Sequence, residues 1–336
     1  MVNVGVIGMG MMGSTHLDAY SKHKSATIVA VSDRDEDLLH GRRSASGNIE
    51  GQAQGGVDLS AAKKYAEGMD LIRDPNVELV DICLWTPLHL EYALAALKAG
   101  KHLLIEKPLA RTHAEAVKLA AAAEKAPGLS MCAMCMRFWP GWDWLKAAVD
   151  SGRYGPVRCA QFRRVADHPG GPFYSDGDQC GGAILDLHVH DTDFVQYLFG
   201  TPKAVYSRGY SRITSATDHV VTQYEYDDVP IVVAEGGWDM AKGFGFTMRY
   251  AVNFDKATAV FDLAAPHPLT LIEPDKGAMP VALDEGMGYG REIDYFLNCI
   301  ATGTRPSTVT LTSAAESVRI VEAELESVRT GRRVTL

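Results

Sequence analysis

The sequence has no block of basic residues. Its 336 residues include 33 Lys and Arg against 42 Asp and Glu, which gives a formal net charge of −9, and basic residues never stand more than two in a row. Proteins that bind a polyanion directly carry clustered Lys and Arg, because these side chains neutralise phosphates. The charge pattern therefore argues against nucleic acid as a partner.

Long apolar runs and a secretory leader are also missing. No stretch approaches the roughly 18 apolar residues that a membrane-spanning helix needs. The opening MVNVGVIGMG lacks the basic and apolar regions of a signal peptide and instead predicts a strand that ends in a glycine turn. We therefore predict a cytoplasmic protein with no membrane partner.

Cysteine is sparse and scattered. Six cysteines without regular spacing predict buried thiols and no disulfide framework. Cys132 and Cys135 form a CxxC pair, but no second pair completes a zinc or redox site. We predict no metal.

The composition is that of a globular protein with more than one core. Hydrophobic residues make up 46% of the chain and charged residues 22%, and the length exceeds the usual domain size of roughly 150 residues. We predict a dinucleotide-binding domain over residues 1–127 and a second, substrate-binding and oligomerisation domain over 128–336. The C-terminal helix is expected to be able to pack back on the first domain.

Short apolar strands alternate with helices in the first part of the chain. This alternation is typical of a parallel sheet covered on both faces, the doubly wound α/β fold. A stretch rich in glycine and small polar residues, 44–59, predicts an inserted surface loop. The predicted strands cover 2–8, 27–32, 77–84, 102–105 and 129–135.

After Pro140 the pattern changes to consecutive β-rich segments with few helices. Such a series predicts one large, mostly antiparallel open sheet. Apolar residues at helical spacing predict a last amphipathic helix over 313–329. The second domain is therefore expected to be of the α+β class.

Three glycines follow the first predicted strand in the order G-x-G-x-x-G. Gly8 permits a tight turn, Gly10 lets a pyrophosphate approach the backbone, and Gly13 lets the following helix pack on the strand. Asp33 ends the second predicted strand, where its carboxylate can accept both hydroxyls of a ribose. We predict a dinucleotide site.

The residue after Asp33 bears on the choice of cofactor. Asp33 would repel the 2′-phosphate of NADP, which favours NAD, whereas the guanidinium of Arg34 could pair with that phosphate. We predict NAD, with NADP as the alternative.

Two histidines and three aspartates crowd into GAILDLHVHDTD, residues 182–193. A helix would place Asp186 and His190 one above the other on a single face. A strand would instead place His188 and His190 on one face as a metal pair. The helical length of the segment and the closing Gly200 favour the helix, and a third metal ligand is not evident.

Several motifs together resemble those of one family. They are the glycine turn with Asp33, the segment CLWTPLHLEYALAALKAGKHLLIEKP with its final Glu-Lys-Pro triplet, and the pattern GG-x-x-x-D-x-x-x-H in GGAILDLHVHD; MRFWP and GREIDYFLNCIATGTRP extend the similarity along the chain. The sequence resembles the glucose-fructose oxidoreductase/inositol dehydrogenase family, Gfo/Idh/MocA. The resemblance implies an N-terminal Rossmann domain, a C-terminal α+β domain with a large open sheet, and homodimers or homotetramers formed through that sheet.

The resemblance also implies the roles of three catalytic residues. His190 matches the acid–base histidine, Asp186 the carboxylate that supports it, and Lys107 the lysine that contacts the substrate hydroxyl. Each type suits its role, because oxidising a secondary alcohol requires a base for the hydroxyl proton and a cation for the developing alkoxide charge. An imidazole, with a reference pKa of about 6.5, exchanges protons near neutrality.

Further site residues are expected around these three. The pocket is expected to have walls from Phe138, Trp142 and Trp144. Cofactor contacts are expected from Gly8, Gly10, Met11, Met12, Gly13, Asp33, Arg34, Trp85, Thr86, His89, Glu106 and Lys107. Substrate contacts are expected from Lys107, Arg137, Trp139, Arg163, Asp186, His190 and Tyr289.

The predicted function is NAD(P)-dependent transfer of a hydride to or from a secondary hydroxyl or carbonyl of a sugar, inositol or related polyol. Two alternatives stay open: a glycosidase that oxidises its substrate transiently with bound NAD, and a non-catalytic sugar or nucleotide sensor. Trp85 and His188 depart from the family pattern and could narrow the pocket, although Trp85 could equally be a packing residue.

Overall fold

The computed structural model describes residues 1–43 and 56–336. Most of the predicted loop at 44–59 therefore lies outside the described residues. Contacts between Cα atoms divide the chain into two compact units, Met1–Cys135 with Met287–Ala315, and Met136–Gly286 with Glu316–Leu336. Within residues 1–43 and 56–336, every helix is too short or too polar to span a lipid bilayer.

The first unit contains a parallel sheet, as the alternating pattern predicts. Its strand order is β3-β2-β1-β4-β5-β6, and every pair within it runs parallel. Its central strands are buried on both faces, which is why they are almost wholly apolar. The strands are β1 (Val2–Ile7), β2 (Ala26–Ser32), β3 (Lys63–Tyr65), β4 (Leu79–Ile82), β5 (His102–Glu106) and β6 (Ser130–Ala133).

Helices connect these strands. Thr112 caps α5 through its hydroxyl, which accepts from the amide of Glu115, while the Glu115 carboxylate accepts from the amide of Thr112. The helices are α1 (Met11–Lys22), α2 (Glu36–Leu39), α3 (Gly68–Arg73), α4 (His89–Lys98) and α5 (His113–Lys125).

The second unit is built on a nine-stranded sheet. Its order is β14-β13-β12-β11-β7-β10-β9-β8-β15, and its strand pairs are antiparallel except for the parallel pair of β7 and β10. The mostly antiparallel open sheet is confirmed. The strands are β7 (Val157–Asp167), β8 (Ala204–Tyr210), β9 (His219–Glu225), β10 (Ile231–Met240), β11 (Phe246–Phe254), β12 (Thr258–Asp262), β13 (Leu269–Glu273), β14 (Gly277–Pro280) and β15 (Val334–Thr335).

Helices cover one face of this sheet, and α9 and α10 pack against β7, β9 and β10. Residues paired across the strands share a face, so the exposed side chains of neighbouring strands form one continuous surface on the other side. We call this surface the open face; it includes Arg163, Val221 and Ile231. The helices after β6 are α6 (Trp142–Ser151), α7 (Gly171–Ser175), α8 (Gly177–Cys180), α9 (Gly182–Asp186), α10 (Val189–Phe199), α11 (Gly288–Thr302) and α12 (Leu311–Thr330).

The two units differ from the predicted domains at their limits. The first unit extends past residue 127 to Cys135, because β6 pairs with β5 and so completes the parallel sheet. It also includes α11, which packs against α1 and β6. The predicted C-terminal helix corresponds to α12, most of which belongs to the second unit.

Candidate active site

The glycine turn adopts the conformation that its sequence requires. Gly8 has φ +92°, and a Cβ there would lie 2.4 Å from the carbonyl oxygen of Cys83. A Cβ on Gly13 would lie 1.8 Å from the carbonyl oxygen of Gly8, whereas a Cβ on Gly10 would meet nothing within 4 Å. Gly8 and Gly13 therefore allow close backbone packing, and Gly10 borders the open space that a pyrophosphate needs at the start of α1.

Asp33 is held beside this turn by two backbone amides. Its Oδ2 accepts from the amide of Met9 at 2.6 Å, and its Oδ1 accepts from the amide of Asp35 at 2.8 Å. A carboxylate offers about four acceptor positions, so lone pairs remain for the hydroxyls of a ribose. The prediction for Asp33 as a ribose acceptor fits this geometry.

A cleft of about 400 Å³ lies at this edge of the parallel sheet. It includes five of the residues predicted to contact the cofactor: Gly8, Gly10, Asp33, Arg34 and Trp85. The shape, the open space at Gly10 and the fixed carboxylate fit a dinucleotide. The other lining residues are Ile7, Ser32, Asp35, Leu38, Ala66, Gly68, Cys83, Leu84, Leu88 and Tyr92.

Trp85 lines this cleft and is not a packing residue. It precedes the 3-10 turn Thr86–Leu88, and 48% of its surface is exposed. A core tryptophan would be buried, so its exposed ring is a surface of the cleft. The packing interpretation of Trp85 is wrong.

His89 lies in the protein interior and forms contacts there through both ring nitrogens. It is fully buried, its Nδ1 lies 2.9 Å from the carbonyl oxygen of Pro108, and its Nε2 lies 2.9 Å from that of Leu84. Burial lowers the pKa of His89. Because both ring nitrogens face backbone carbonyls, the ring joins the loops after β4 and β5, and the predicted direct cofactor contact of His89 does not fit.

The Glu-Lys-Pro triplet follows β5. The carboxylate of Glu106 folds back and accepts from the amide of Lys107 at 2.9 Å, and the Lys107–Pro108 peptide bond is cis. Glu106 is only 5% exposed. Its other carboxylate oxygen lies 3.2 Å from Nε2 of His16. No sequence motif predicts this contact, because His16 lies on α1, far from Glu106 along the chain.

Among the described residues, one group of side chains has the spacing to hold a metal ion, and His16 belongs to this group. Nδ1 of His16, a carboxylate oxygen of Asp81 and Sγ of Cys83 lie within 4.8 Å of one another. The separation of 2.8 Å between Nδ1 and Oδ2 of Asp81 is that of a hydrogen bond.

The segment that carries Asp186 and His190 is helical but interrupted. The helix predicted as continuous divides into α9, which ends at Asp186, and α10, which begins at Val189. The amide of His190 donates to the carbonyl oxygen of Leu187, not to that of Asp186. The helical interpretation is therefore right and the strand alternative is excluded, while the placement of Asp186 and His190 on one face stays a prediction.

Asp193 and Arg137 form a buried ion pair. Nε of Arg137 donates to Oδ2 of Asp193 at 2.9 Å, and Nη2 donates to Oδ1 at 2.6 Å. The hydroxyl of Ser317 donates to the same Oδ1 at 2.7 Å, and the guanidinium lies 4.7 Å from the ring centre of Tyr197. Arg137 is thus bound bidentately to Asp193 inside the second unit, and its contact with a substrate stays a prediction.

Arg163 lies on the face of the sheet opposite α10. Its neighbour Arg164 is buried and pairs with Asp191 of α10 at 2.7 Å, and side chains alternate along a strand. Arg163 therefore points to the open face, where it pairs with Glu235 at 2.8 Å. Arg163 and α10 lie on opposite sides of the sheet, so a substrate contact from Arg163 does not fit a site beside His190.

The predicted aromatic walls have different positions. Trp142 is fully buried among the rings of Phe162, Phe194, Tyr250 and Phe261, so its role as a pocket wall is wrong. Tyr289 and Trp139 are also mostly buried, on α11 of the first unit and in the second unit respectively, and their substrate contacts stay predictions. The same holds for Met11, Met12 and Thr86 as cofactor contacts.

His188 occupies the junction between α9 and α10 and is fully buried. Its Nε2 lies 3.3 Å from the hydroxyl of Tyr224 and 3.6 Å from Oε2 of Glu324. Burial opposes the charged form, but Glu324 raises the pKa of His188 overall. His188 therefore packs in the interior of the second unit, and its predicted effect of narrowing a pocket does not fit.

Two family models match the chain, one in its N-terminal part and one in its C-terminal part. Residues 2–133 match the oxidoreductase family with NAD-binding Rossmann fold, and residues 142–260 match the GFO/IDH/MocA C-terminal domain.

Similar proteins and structures were also found. The chain is 30% identical over 199 residues to myo-inositol 2-dehydrogenase of Thermotoga maritima, a match that covers 59% of this chain and 55% of that protein; the chain thus spans about half the length of this relative. It is 28% identical to inositol 2-dehydrogenase 2 of Saccharopolyspora erythraea, over 98% of this chain and 94% of that protein. A levoglucosan dehydrogenase in complex with NADH and levoglucosan has the same fold, with a TM-score of 0.86 at 22% identity over 99% of both chains.

Proposed function

The chain belongs to the Gfo/Idh/MocA family of NAD-binding oxidoreductases, and on this basis we propose that it transfers a hydride between NAD and a secondary hydroxyl or carbonyl of a sugar, inositol or related polyol. The observation that carries the proposal is the cleft of the first unit, in which the glycine turn, Asp33 and exposed Trp85 meet. The names of the relatives, two inositol dehydrogenases and a levoglucosan dehydrogenase, support this substrate class.

NAD is the proposed cofactor, because carboxylates dominate the cleft where a 2′-phosphate would lie. Asp33 and Asp35 both line it, and Arg34, the residue that could favour NADP, pairs through Nη2 with Oε2 of Glu67 at 3.3 Å. Two exposed charges in this position attract one another only weakly, but Glu67 still adds a negative charge that would repel a phosphate.

Three residues are proposed to carry the chemistry. The bound nicotinamide would accept or return the hydride. His190 takes the hydroxyl proton of the substrate during oxidation and returns it during reduction, and Asp186 stabilises its charged form. Lys107 stabilises the negative charge that develops on the substrate oxygen.

The first experiment is a screen of polyols and sugars with NAD, followed by NADH absorbance. We expect at least one inositol or sugar to give steady NADH formation. His190→Ala should lower kcat by roughly 10² to 10⁴ with NAD binding nearly unchanged. His267→Ala, at an exposed histidine of the same unit, is the matched control and should keep wild-type kcat.

Two results would contradict the proposal. Full activity of His190→Ala would remove His190 from the mechanism. Release of nitrophenol from a nitrophenyl glycoside without net NADH formation would instead favour the transient-redox glycosidase.

We also propose that the protein is a cytoplasmic homodimer or homotetramer formed through the open face. All six cysteines are thiols in the structure, which suits a reducing compartment. The open face carries large apolar side chains that are unusually exposed for a sheet surface. They are Tyr206, Tyr210, Val221, Ile231 and Val260, with exposures of 41%, 52%, 42%, 45% and 38%.

A further inference from the structure

A cluster of ionisable side chains lies inside the first unit, next to the Glu-Lys-Pro triplet. Four secondary structure elements contribute to it: α1, β4, β5 and α11. All its members are buried except Cys83, which is partly exposed. The cluster consists of His16, Tyr20, Asp81, Cys83, Glu106 and Glu292.

His16 contacts two carboxylates at once. Its Nδ1 lies 2.8 Å from Oδ2 of Asp81, and its Nε2 lies 3.2 Å from Oε1 of Glu106. The second contact is not aligned as a hydrogen bond, so it is an ion pair. Burial opposes a charged imidazole, but Asp81 and Cys83 raise the pKa of His16 well above its usual value. A charged His16 balances the two carboxylates.

Tyr20 and Glu292 complete the surroundings of His16. The hydroxyl of Tyr20 donates to the same Oδ2 of Asp81 at 2.9 Å. Glu292 is fully buried, and within the described part of the chain neither of its carboxyl oxygens makes a hydrogen bond. Burial raises the pKa of Glu292 well above its usual value. A raised pKa disfavours the ionised form of Glu292, and so disfavours a third negative charge near His16.

Glu106 connects this cluster to Lys107. While Oε1 of Glu106 faces His16, its Oε2 accepts from the backbone amide of Lys107 at 2.9 Å. A carboxylate held at both oxygens has little rotational freedom, and it fixes the backbone from which the Lys107 side chain extends. Displacement of a charged group by about 1 Å can reduce a rate by roughly 10².

We propose that His16 is a positioning residue for Lys107, and that it acts by holding the Glu106 carboxylate against the Lys107 amide. The inference rests on the proposed function, because it gives Lys107 a catalytic role. His16 itself is assigned no contact with substrate or cofactor.

Two substitutions of His16 separate its two contacts. His16→Asn places an amide nitrogen near the position of Nδ1, within reach of Asp81 only. His16→Gln places its amide nitrogen near the position of Nε2, within reach of Glu106. We expect His16→Asn to lower kcat roughly tenfold to a hundredfold, with KM for NAD and substrate changed less than about threefold. His16→Gln should recover most of this loss.

Tyr20→Phe is the matched control. It removes a hydrogen bond to the same oxygen of Asp81 but leaves the Glu106 contact in place, so it should lower the melting temperature with kcat unchanged. If His16→Asn and His16→Gln both keep wild-type kcat, or if all three variants lose kcat in proportion to their loss of thermal stability, the positioning role is wrong.

A double-mutant cycle with Glu106→Gln serves as the second measurement and replaces His16→Asn should that variant fail to fold. Glu106→Gln keeps an acceptor for the Lys107 amide but removes the ion pair with His16. If the two residues act as one unit, the loss of kcat in the double variant should not exceed that of the more impaired single variant. Multiplicative losses would overturn the inference.

The variant Lys107→Met distinguishes a failure of the proposed function from a failure of the positioning role of His16. Wild-type turnover by Lys107→Met, or the absence of any NAD-dependent turnover in the wild type, would contradict the proposed function. A strong loss in Lys107→Met with wild-type kcat in His16→Asn would contradict only the role of His16.

Discussion

Gly236 leaves the space that the His188 ring occupies: a Cβ on Gly236 would lie 2.5 Å from Nδ1 of His188 and 2.7 Å from its Cβ. Glycine is unfavourable inside a strand, because it has no side chain to pack and costs more conformational entropy on folding. Its presence in the middle of β10 is explained by the buried imidazole beside it.

Gly236→Ala should therefore lower the free energy of unfolding by about 1–3 kcal/mol through overpacking. Combining it with His188→Gly should remove the steric conflict, so that the two substitutions together cost less than their sum. Urea unfolding measures both effects. Gly290→Ala, on α11 where a Cβ would meet nothing within 4 Å, is the matched control and should be neutral or stabilising.

Removing the charge of Glu67 should weaken the preference for NAD. Glu67→Gln releases Arg34 from its ion pair and removes one charge that repels the 2′-phosphate. We expect the ratio of kcat/KM for NADP to that for NAD to rise about threefold to tenfold, since these charges are exposed. Glu124→Gln, at an exposed position on α5, should leave the ratio unchanged. An unchanged ratio in Glu67→Gln would mean that Glu67 does not contribute to the preference.

The buried carboxyl of Glu292 predicts how stability depends on pH. Because its pKa is raised in the folded protein, the folded state binds more protons than the unfolded state above the ordinary pKa of about 4.5. Stability is therefore lost as pH rises from that value toward the folded pKa, by up to about 1.4 kcal/mol per pH unit. Glu292→Gln should reduce this slope in melting curves recorded between pH 5 and pH 8. A slope identical to that of the wild type would show that Glu292 does not titrate as its burial implies.

If the open face joins protomers, a charged side chain placed on it should weaken their association. Val221→Asp places a carboxylate among exposed apolar side chains, and burying it in an interface without a partner would be costly. We expect a smaller molar mass in light scattering coupled to size exclusion. Val117→Asp, at a similarly exposed valine on α5 (46% against 42% for Val221), should leave the mass unchanged. The interface would lie elsewhere if both variants keep the wild-type mass.

Local patterns in the sequence were sufficient for much of the fold. The alternation of strands and helices predicts the parallel sheet, because a strand buried on both faces must be apolar throughout. The glycine turn was predicted for a similar reason: Gly8 and Gly13 are required by backbone contacts close to them in the fold, and these contacts recur wherever the motif follows a strand.

The side chains around the site were harder to predict, because their partners lie far away along the chain. Arg137 pairs with Asp193, and His89 joins Leu84 to Pro108. In several cases a charged or aromatic residue beside a motif predicts a ligand contact, whereas the tertiary structure supplies a protein partner. Arg163 shows another limit: period-two alternation separates two faces of a strand but does not tell which one the helices cover.

By itself the sequence determined the fold class, the dinucleotide turn and the helical character of the segment around His190, since each depends on period, turn chemistry or spacing within a few dozen residues. Only the tertiary structure decided that α9 and α10 are separate helices, that α11 joins the first unit, and that His16 contacts Glu106. These features depend on burial, and burial is set by elements that meet in space from distant parts of the chain.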